Sequence, residues 1–262
     1  LIKGLYTAAS GMMLQMNKQD VVANNIANVN TGGYKKDSVI CQSFPAMLIS
    51  RVGESREIDG KEEMLPPVII GSLGTGAVVR DIVTDHSQGN IAPTNNPADL
   101  AISNEGYFVI LTPQGERFTR DGSFKINNEG ILVTNQGQPV LSADNETIQI
   151  LDVDQAARGF DVDKNGRIII NNQEMARLKI VDFADKRQLE KEGAWLRVKE
   201  GGYTQVDNPG IVQGYLEQSN VNAVKEMVNL INVVRAYESC QKVVQAEDEL
   251  LGIAIDKVGS IS

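Results

Sequence analysis

Near the start of the chain apolar residues recur at alternating steps of four and three: Leu5, Ala9, Met12, Met16, Gln19, Ala23 and Ile26, with only Gln19 polar. That spacing predicts a helix with one narrow apolar seam, about 25 residues and about 37 Å long. Asn28, Asn30, Thr31, Gly32 and Gly33 follow, residues that favour caps and turns over helix interiors. The far end repeats the pattern in Met227, Leu230, Val234, Tyr237, Gln241, Val244, Asp248, Leu251, Ile255 and Val258, where Gln241 and Asp248 alone are polar. Asn220 or Asn222 can cap this second helix and Gly259 can end it, a length of about 58 Å.

Between the two helices the period changes to short alternating runs rich in Val, Ile, Phe and Tyr, with turn residues about every ten positions, the pattern of antiparallel sheet. Tyr107 to Leu111, Arg117 to Thr119, Ser123 to Ile126 and Gly130 to Thr134 are such runs, and Asn104-Glu105-Gly106, Gln114-Gly115, Asp121-Gly122 and Asn135-Gln136-Gly137 separate strands. Further strands are expected at Thr147 to Leu151, Gly159 to Val162, Arg167 to Ile170 and Arg177 to Phe183. The expected fold is mixed α and β, with long N- and C-terminal coiled-coil-type helices flanking a central antiparallel β-rich domain. Its parts are residues 1–43 (helix and following loop), 44–88 (an extended arm or connector), 89–216 (the β-rich domain) and 217–262 (C-terminal helix). The arm rests on Arg51 to Met64, dense in charge and poor in apolar residues, followed by Pro66-Pro67 and three glycines.

Composition narrows the function classes. Hydrophobic residues make up 42% and charged residues 23% of 262, so much of the chain can pack. The net charge is −9, with no block of Lys or Arg, which disfavours nucleic acid and anionic membrane surfaces. No basic start leads into an apolar stretch, and no run of about 18 apolar residues occurs, so neither a cleavable signal nor a membrane span is expected. Cys41 and Cys240 with the single histidine, His86, cannot supply a structural zinc site, and both cysteines are expected as buried free thiols.

Several motifs suggest chemistry and are better read as structure. Asp161-Val-Asp163-Lys-Asn165-Gly166 matches half of a calcium loop, but position twelve is Asn172 and the flanks read as strands, which favours a hairpin with an Asn-Gly turn. Gly71-Ser-Leu-Gly74-Thr-Gly76 lacks the Lys-Ser/Thr of a phosphate loop. Asp85, His86 and Ser87 are adjacent, and neighbouring side chains on an extended chain point to opposite faces and form no catalytic relay. No catalytic residue, metal site or cofactor is expected.

The seams carry more. Eight apolar side chains on the longer seam, at roughly 1.5–3 kcal/mol each on full burial, represent about 12–24 kcal/mol, and the shorter helix falls about four turns short of covering it. Other subunits are the expected cover.

Gly4-Leu-Tyr-Thr-Ala-Ala-Ser-Gly11-Met12 and Val22-Ala-Asn-Asn-Ile-Ala-Asn-Val-Asn-Thr-Gly-Gly-Tyr34-Lys35 resemble the signature of the rod and hook axial proteins of the bacterial flagellum. Gly214 to Asn222, Glu226 to Ile231, Arg235-Ala-Tyr-Glu238 and Ala246 to Leu250 are similar to that family's C-terminal segment, and Asn96 to Ile102, Gly106-Tyr-Phe108 and Thr119 to Phe124 to its β-domain. Lys35-Lys36-Asp37 and the arm resemble distal-rod members; Phe44 to Arg51 and the ending Gln245 to Gly259 resemble proximal-rod members; the distal branch is favoured.

The resemblance implies a non-enzymatic subunit, exported without a cleaved signal by the flagellar export apparatus and polymerised with copies of itself and other rod and hook axial proteins. The terminal helices would form the inner layer of the rod. Subunit contacts are then expected at Leu5, Ala9, Met12, Met16, Ala23, Asn24, Asn25, Ile26, Asn28, Asn30, Thr31, Gly33 and Tyr34, and at Asn220, Asn222, Met227, Leu230, Val234, Tyr237, Val244, Leu251 and Ile255. Arm contacts are expected at Arg51, Glu54, Arg56, Glu57 and Glu62. The competing class is a cell-wall-active enzyme or carbohydrate-binding β-domain, which needs an aromatic groove; aromatics are only 5% of the chain and Trp195 is its one tryptophan.

Overall fold

A computed structural model describes residues 2–51, 55–58, 61–64, 68–150, 160–171, 173–199 and 201–259. Glu54 lies outside them. Helix α1 spans Ile2–Ala27 and helix α2 spans Ala223–Gly259, so helices stand at both ends of a β-rich middle. The chain divides into two compact units. One comprises Leu1–Asn24, Ser38–Val83 and Val224–Ser262, and the other Asn25–Asp37 and Thr84–Ala223.

In the first unit α1 and α2 lie side by side and antiparallel: a Cβ at Gly4 would meet the Glu247 carboxylate and one at Gly11 would lie 3.1 Å from Cys240 Sγ, seven residues on in one helix and seven back in the other. Small residues permit this close approach. The rest of the unit is ribbon. Asp37–Ser43 pairs with Ala77–Thr84, Met47–Arg51 with Val68–Leu73, and Ser55–Ile58 with Lys61–Met64, each as a two-stranded sheet. The charged segment read as an exposed arm or loop is thus a β-hairpin in its described residues. Both faces of its base carry apolar side chains, so the polar–apolar alternation that marks a half-buried strand is missing. Cys41 lies exposed on Asp37–Ser43, contrary to the expected burial, because that strand has only one partner and no covering layer; Cys240 is half-buried.

The second unit holds the core. Six antiparallel strands run in the order Leu189–Glu192, Trp195–Val198, Gly115–Thr119, Tyr107–Thr112, Ile180–Asp182, Thr204–Gln205. Side chains alternate across a strand. Phe108 and Ile110 accordingly pack with Leu100, Phe124, Leu132 and Ile168 on one face, and Tyr107 and Val109 with Phe118, Val181, Phe183 and Leu196 on the other. Asp161–Val162 pairs with Arg167–Ile170. Asp163 closes their turn: its Oδ1 accepts from the amides of Asn165 and Arg167 at 3.0 and 2.9 Å, and its Oδ2 from Arg167 Nε at 2.8 Å. The half-calcium motif is the hairpin expected of it.

Candidate functional site

The loop after α1 is built around Asn25, which is 1% exposed. Its amide Nδ2 donates to the Asp37 carbonyl at 2.9 Å, while its Oδ1 accepts from the Asp37 amide at 2.9 Å and from Tyr34 OH at 3.1 Å. One side chain therefore ties the start of the loop to its end. Inside, the Thr31 amide donates to the Asn28 carbonyl and Thr31 Oγ1 to Asn28 Oδ1, so these polar residues hold the turn itself. Asn24 and Asn30 are exposed beside it.

Lys35 leads from this loop into a buried ion cluster. Its ammonium, 3% exposed, donates to Glu217 Oε1 at 2.5 Å and to the Ser87 carbonyl at 2.8 Å. Glu217, 1% exposed, accepts from Arg120 Nη1 at 3.0 Å and from the Gly89 amide at 2.9 Å. Arg120 also donates to the carbonyls of Ile102 and Asn104. Burial lowers the Lys35 pKa, against the opposing pull of Glu217. Lys191 closes the rim: its ammonium donates to Asp37 Oδ2 at 2.8 Å and to the Lys35 carbonyl, and sits 4.0 Å from the centre of the Tyr34 ring. Burial and the Asp37 charge push Tyr34 up to about 12. Asn220, a candidate helix cap, serves here instead. Its Oδ1 accepts from the Lys36 amide and its Nδ2 donates to the carbonyls of Asp85 and Ser87. Asn222 is left next to the first residue of α2.

His86 stands beside the cluster with Nδ1 2.9 Å from Tyr107 OH. Burial, then the charges of Lys35, Lys186 and Lys191, bring its pKa down to about 4. An unfolded histidine takes its proton near 6.5. Between those values the unfolded chain binds more protons, so stability falls as pH drops from about 6.5 to about 4. Urea midpoints at about pH 7 and about pH 4.5 should therefore fall further for the native chain than for His86→Gln; equal falls would show that His86 does not titrate abnormally.

Along the helices the covered stripe departs in phase from the expected seam. On α2, Leu230, Tyr237, Val244 and Leu251 are half-buried, as is Val234, but the alternate covered positions are Glu226, Val233, Cys240 and Glu247. Each lies one residue before its expected counterpart. Met227 and Ile255 are 51% and 69% exposed. On α1, Leu5, Ala9, Met12 and Ile26 are half-buried, Ala8 and Leu14 are buried, and Met16 and Ala23 are exposed. A second apolar set remains uncovered on each helix: Tyr6, Met13 and Met16 on α1, and Val224, Val228, Ile231, Leu250 and Ile253 on α2. Arg51 is exposed; for Arg56, Glu57 and Glu62 the backbone alone is described, within the hairpin. Among the described residues no helix is long and apolar enough to cross a membrane.

Lys35, Arg120 and Glu217 are bonded to one another and to the carbonyls of Ser87, Ile102 and Asn104. What the geometry does is lock the loop, from Asn25 to Asp37, onto the β-rich core of its unit.

Three family models match along the chain: "Flagella basal body rod protein" over residues 5–35, "Flagellar hook protein FlgE/F/G D1 domain" over 101–170 and "Flagellar basal body rod FlgEFG protein C-terminal" over 212–257. The locked loop falls in the first and Glu217 and Asn220 in the last. The chain is similar over nearly its whole length to single proteins as well. It is 33% identical to the flagellar basal-body rod protein FlgG of Buchnera aphidicola from Baizongia pistaciae, over 96% of this chain and 98% of that one. FlgG of Borreliella burgdorferi is 34% identical over 97% and 98%, and FlgF of Caulobacter vibrioides 32% over 98% of each. With such identity across the helices, the loop and the β-rich unit alike, the chain belongs to the flagellar basal-body rod proteins, as a structural subunit of the rod, with the distal-rod branch, FlgG, favoured.

Proposed function

We propose that the subunit polymerises helically through its terminal helices, which pack in coiled-coil fashion as the inner layer of the rod, residues 1–43 together with 217–262, and line an export channel. Residues 89–216 form the outer layer, and the arm within 44–88 braces neighbouring subunits. Copies of the chain and other rod and hook axial proteins are its partners in the cell envelope, and the flagellar export apparatus delivers it there without cleaving a signal. The uncovered apolar residues of both helices support this reading most. Val224, Val228 and Ile231 are 72%, 52% and 52% exposed on a helix whose opposite stripe is already covered. Large exposed apolar patches mark interaction surfaces.

Met227→Asp and Ile255→Asp test it. Both positions are exposed in the subunit, so its fold and melting temperature should stay unchanged. In a polymer each substitution would bury an unpaired charge at a cost of several kcal/mol per subunit. Rods seen by electron microscopy with the native chain should be absent with either variant, and motility should be lost. Normal rods from both would refute assembly through these helices.

A further inference from the structure

Among the described residues two lysines are 3% exposed, Lys35 and Lys179, and their surroundings differ. Lys35 meets a carboxylate and a backbone carbonyl. Lys179 places its ammonium 2.9 Å from Glu116 Oε1, 2.6 Å from the side-chain oxygen of Asn145 and 2.7 Å from Tyr203 OH. Tyr203 OH in turn donates to Glu116 Oε2 at 3.0 Å. An amine, a carboxamide and a carboxylate thus converge at one point. With a C=O bond of about 1.23 Å, Asn145 Cγ stands at most about 3.8 Å from Nζ, close to the roughly 3–3.5 Å of a reacting pair.

Backbone bonds hold the pair in place. The Lys179 amide donates to the Leu141 carbonyl at 3.0 Å and the Ala143 amide to the Arg177 carbonyl at 2.8 Å, so the two segments are locked side by side. Ser142, 5% exposed, closes the turn that follows: its Oγ accepts from the amides of Asp144 and Glu146, and its carbonyl from the Asn145 amide. Asn145 has φ +65°, a left-handed conformation that asparagine tolerates better than most residues. Proximity fixed in this way by the fold accelerates an intramolecular reaction by several orders of magnitude.

We propose that Lys179 and Asn145 join in an intramolecular isopeptide bond, with Glu116 as the catalytic base and acid. Glu116 Oε1 takes a proton from the Lys179 ammonium, and the freed Nζ attacks Asn145 Cγ to form the new C–N bond. Glu116 then shuttles a proton from Nζ to Nδ2. The Cγ–Nδ2 bond breaks, and the departing ammonia takes the proton left on Glu116 and leaves as ammonium. Nothing is oxidised or reduced, and no co-reactant is needed. Tyr203 positions Glu116 through its bond to Oε2. Burial pulls the Lys179 pKa down, but the bonds from Lys179 to Tyr203 and Glu116 outweigh it and raise the pKa. The free amine is therefore scarce, and the bond accumulates slowly in the folded chain. Once formed, it closes a covalent loop between positions 34 apart in the β-rich unit, restraining the unfolded chain without any cysteine.

Mass spectrometry of the full chain reads the bond directly. Native chain kept folded and warm for several days should lose one ammonia, and its tryptic digest should contain a branched peptide joining the segments of Asn145 and Lys179. The digest is decisive, because the Asn165-Gly166 pair can lose ammonia by cyclising without making a branch. Glu116→Gln keeps both reacting groups, and the branched peptide should be at least about tenfold scarcer in it. Lys179→Arg should give none. An aged native chain whose digest holds Asn145 and Lys179 only in linear peptides would overturn the proposal and leave the cluster an ion pair alone. A branched peptide as abundant in Glu116→Gln as in the native chain would overturn the role of Glu116 as its catalyst.

Discussion

Replacing Glu217 by glutamine is expected to destabilise the β-rich unit by about 3–5 kcal/mol, the cost of removing one partner from a buried ion pair. Among the described residues Glu217 is the only carboxylate bonded to either Lys35 or Arg120, and all three side chains are at most 8% exposed. Glutamine keeps the shape but leaves two buried cations facing a neutral amide, and one of its polar ends must turn an N–H toward a donor. Burial already lowers the Lys35 pKa, and loss of Glu217 removes the main opposing pull. Lys35 would then shed its proton more readily in the variant, so the destabilisation should shrink as pH rises, since deprotonation relieves one of the two unpaired charges. Thermal unfolding followed by circular dichroism should show a fall of about 10 °C or more near neutral pH. The double variant Glu217→Gln with Lys35→Met should recover part of that loss, because it removes a stranded cation along with the anion. A single variant that melts within about 2 °C of the native chain would mean that the cluster contributes little to folding.

This cluster was the part of the site that could not be read from the chain. Lys35 and Glu217 are 182 residues apart, and a lysine after a glycine-rich turn carries no mark of a buried partner. Arg120 is hidden in the same way between a strand end and Asp121-Gly122. The helices were legible because a seam at alternating four and three survives any tertiary context, and the strands of the core because Tyr107–Thr112 and its neighbours alternate between turns. The phase of the covered stripe was not. Reading apolar residues alone assigns Met227, which is exposed, and passes over the buried Glu226 and the half-buried Glu247, two carboxylates that no hydrophobic criterion selects. Asn25 and Gly33 were legible as signature positions through family resemblance. Their physical roles, a side chain bridging two ends of a loop and a backbone that must be bare, required coordinates.

Gly33→Ala should be the most damaging small substitution in the loop, costing about 2–4 kcal/mol. Two separate effects act there. Gly33 has φ +65°, the left-handed region, where any residue with a Cβ is strained by roughly 1–2 kcal/mol. A Cβ would also lie 2.3 Å from both the Arg120 carbonyl carbon and the Asp121 nitrogen, and these are backbone atoms that no rotamer change can move. The loop or the Arg120 segment must shift. Either shift strains the 2.7 Å bond from the Gly33 amide to the Glu217 carbonyl, and through Arg120 the ion cluster beneath it. Gly137 separates the two effects. Its φ is +85°, but a Cβ there would meet no heavy atom within 4 Å, so Gly137→Ala should carry the conformational strain alone, about 1 kcal/mol. Urea unfolding of the two variants should place Gly33→Ala at least about 1 kcal/mol below Gly137→Ala. Equal losses would show that backbone conformation alone selects glycine at position 33 and that the close approach to Arg120 relaxes without cost. A larger loss at Gly33, accompanied by faster amide exchange at Gly89, whose N–H donates to Glu217, would show that the loop and the ion cluster respond as one element.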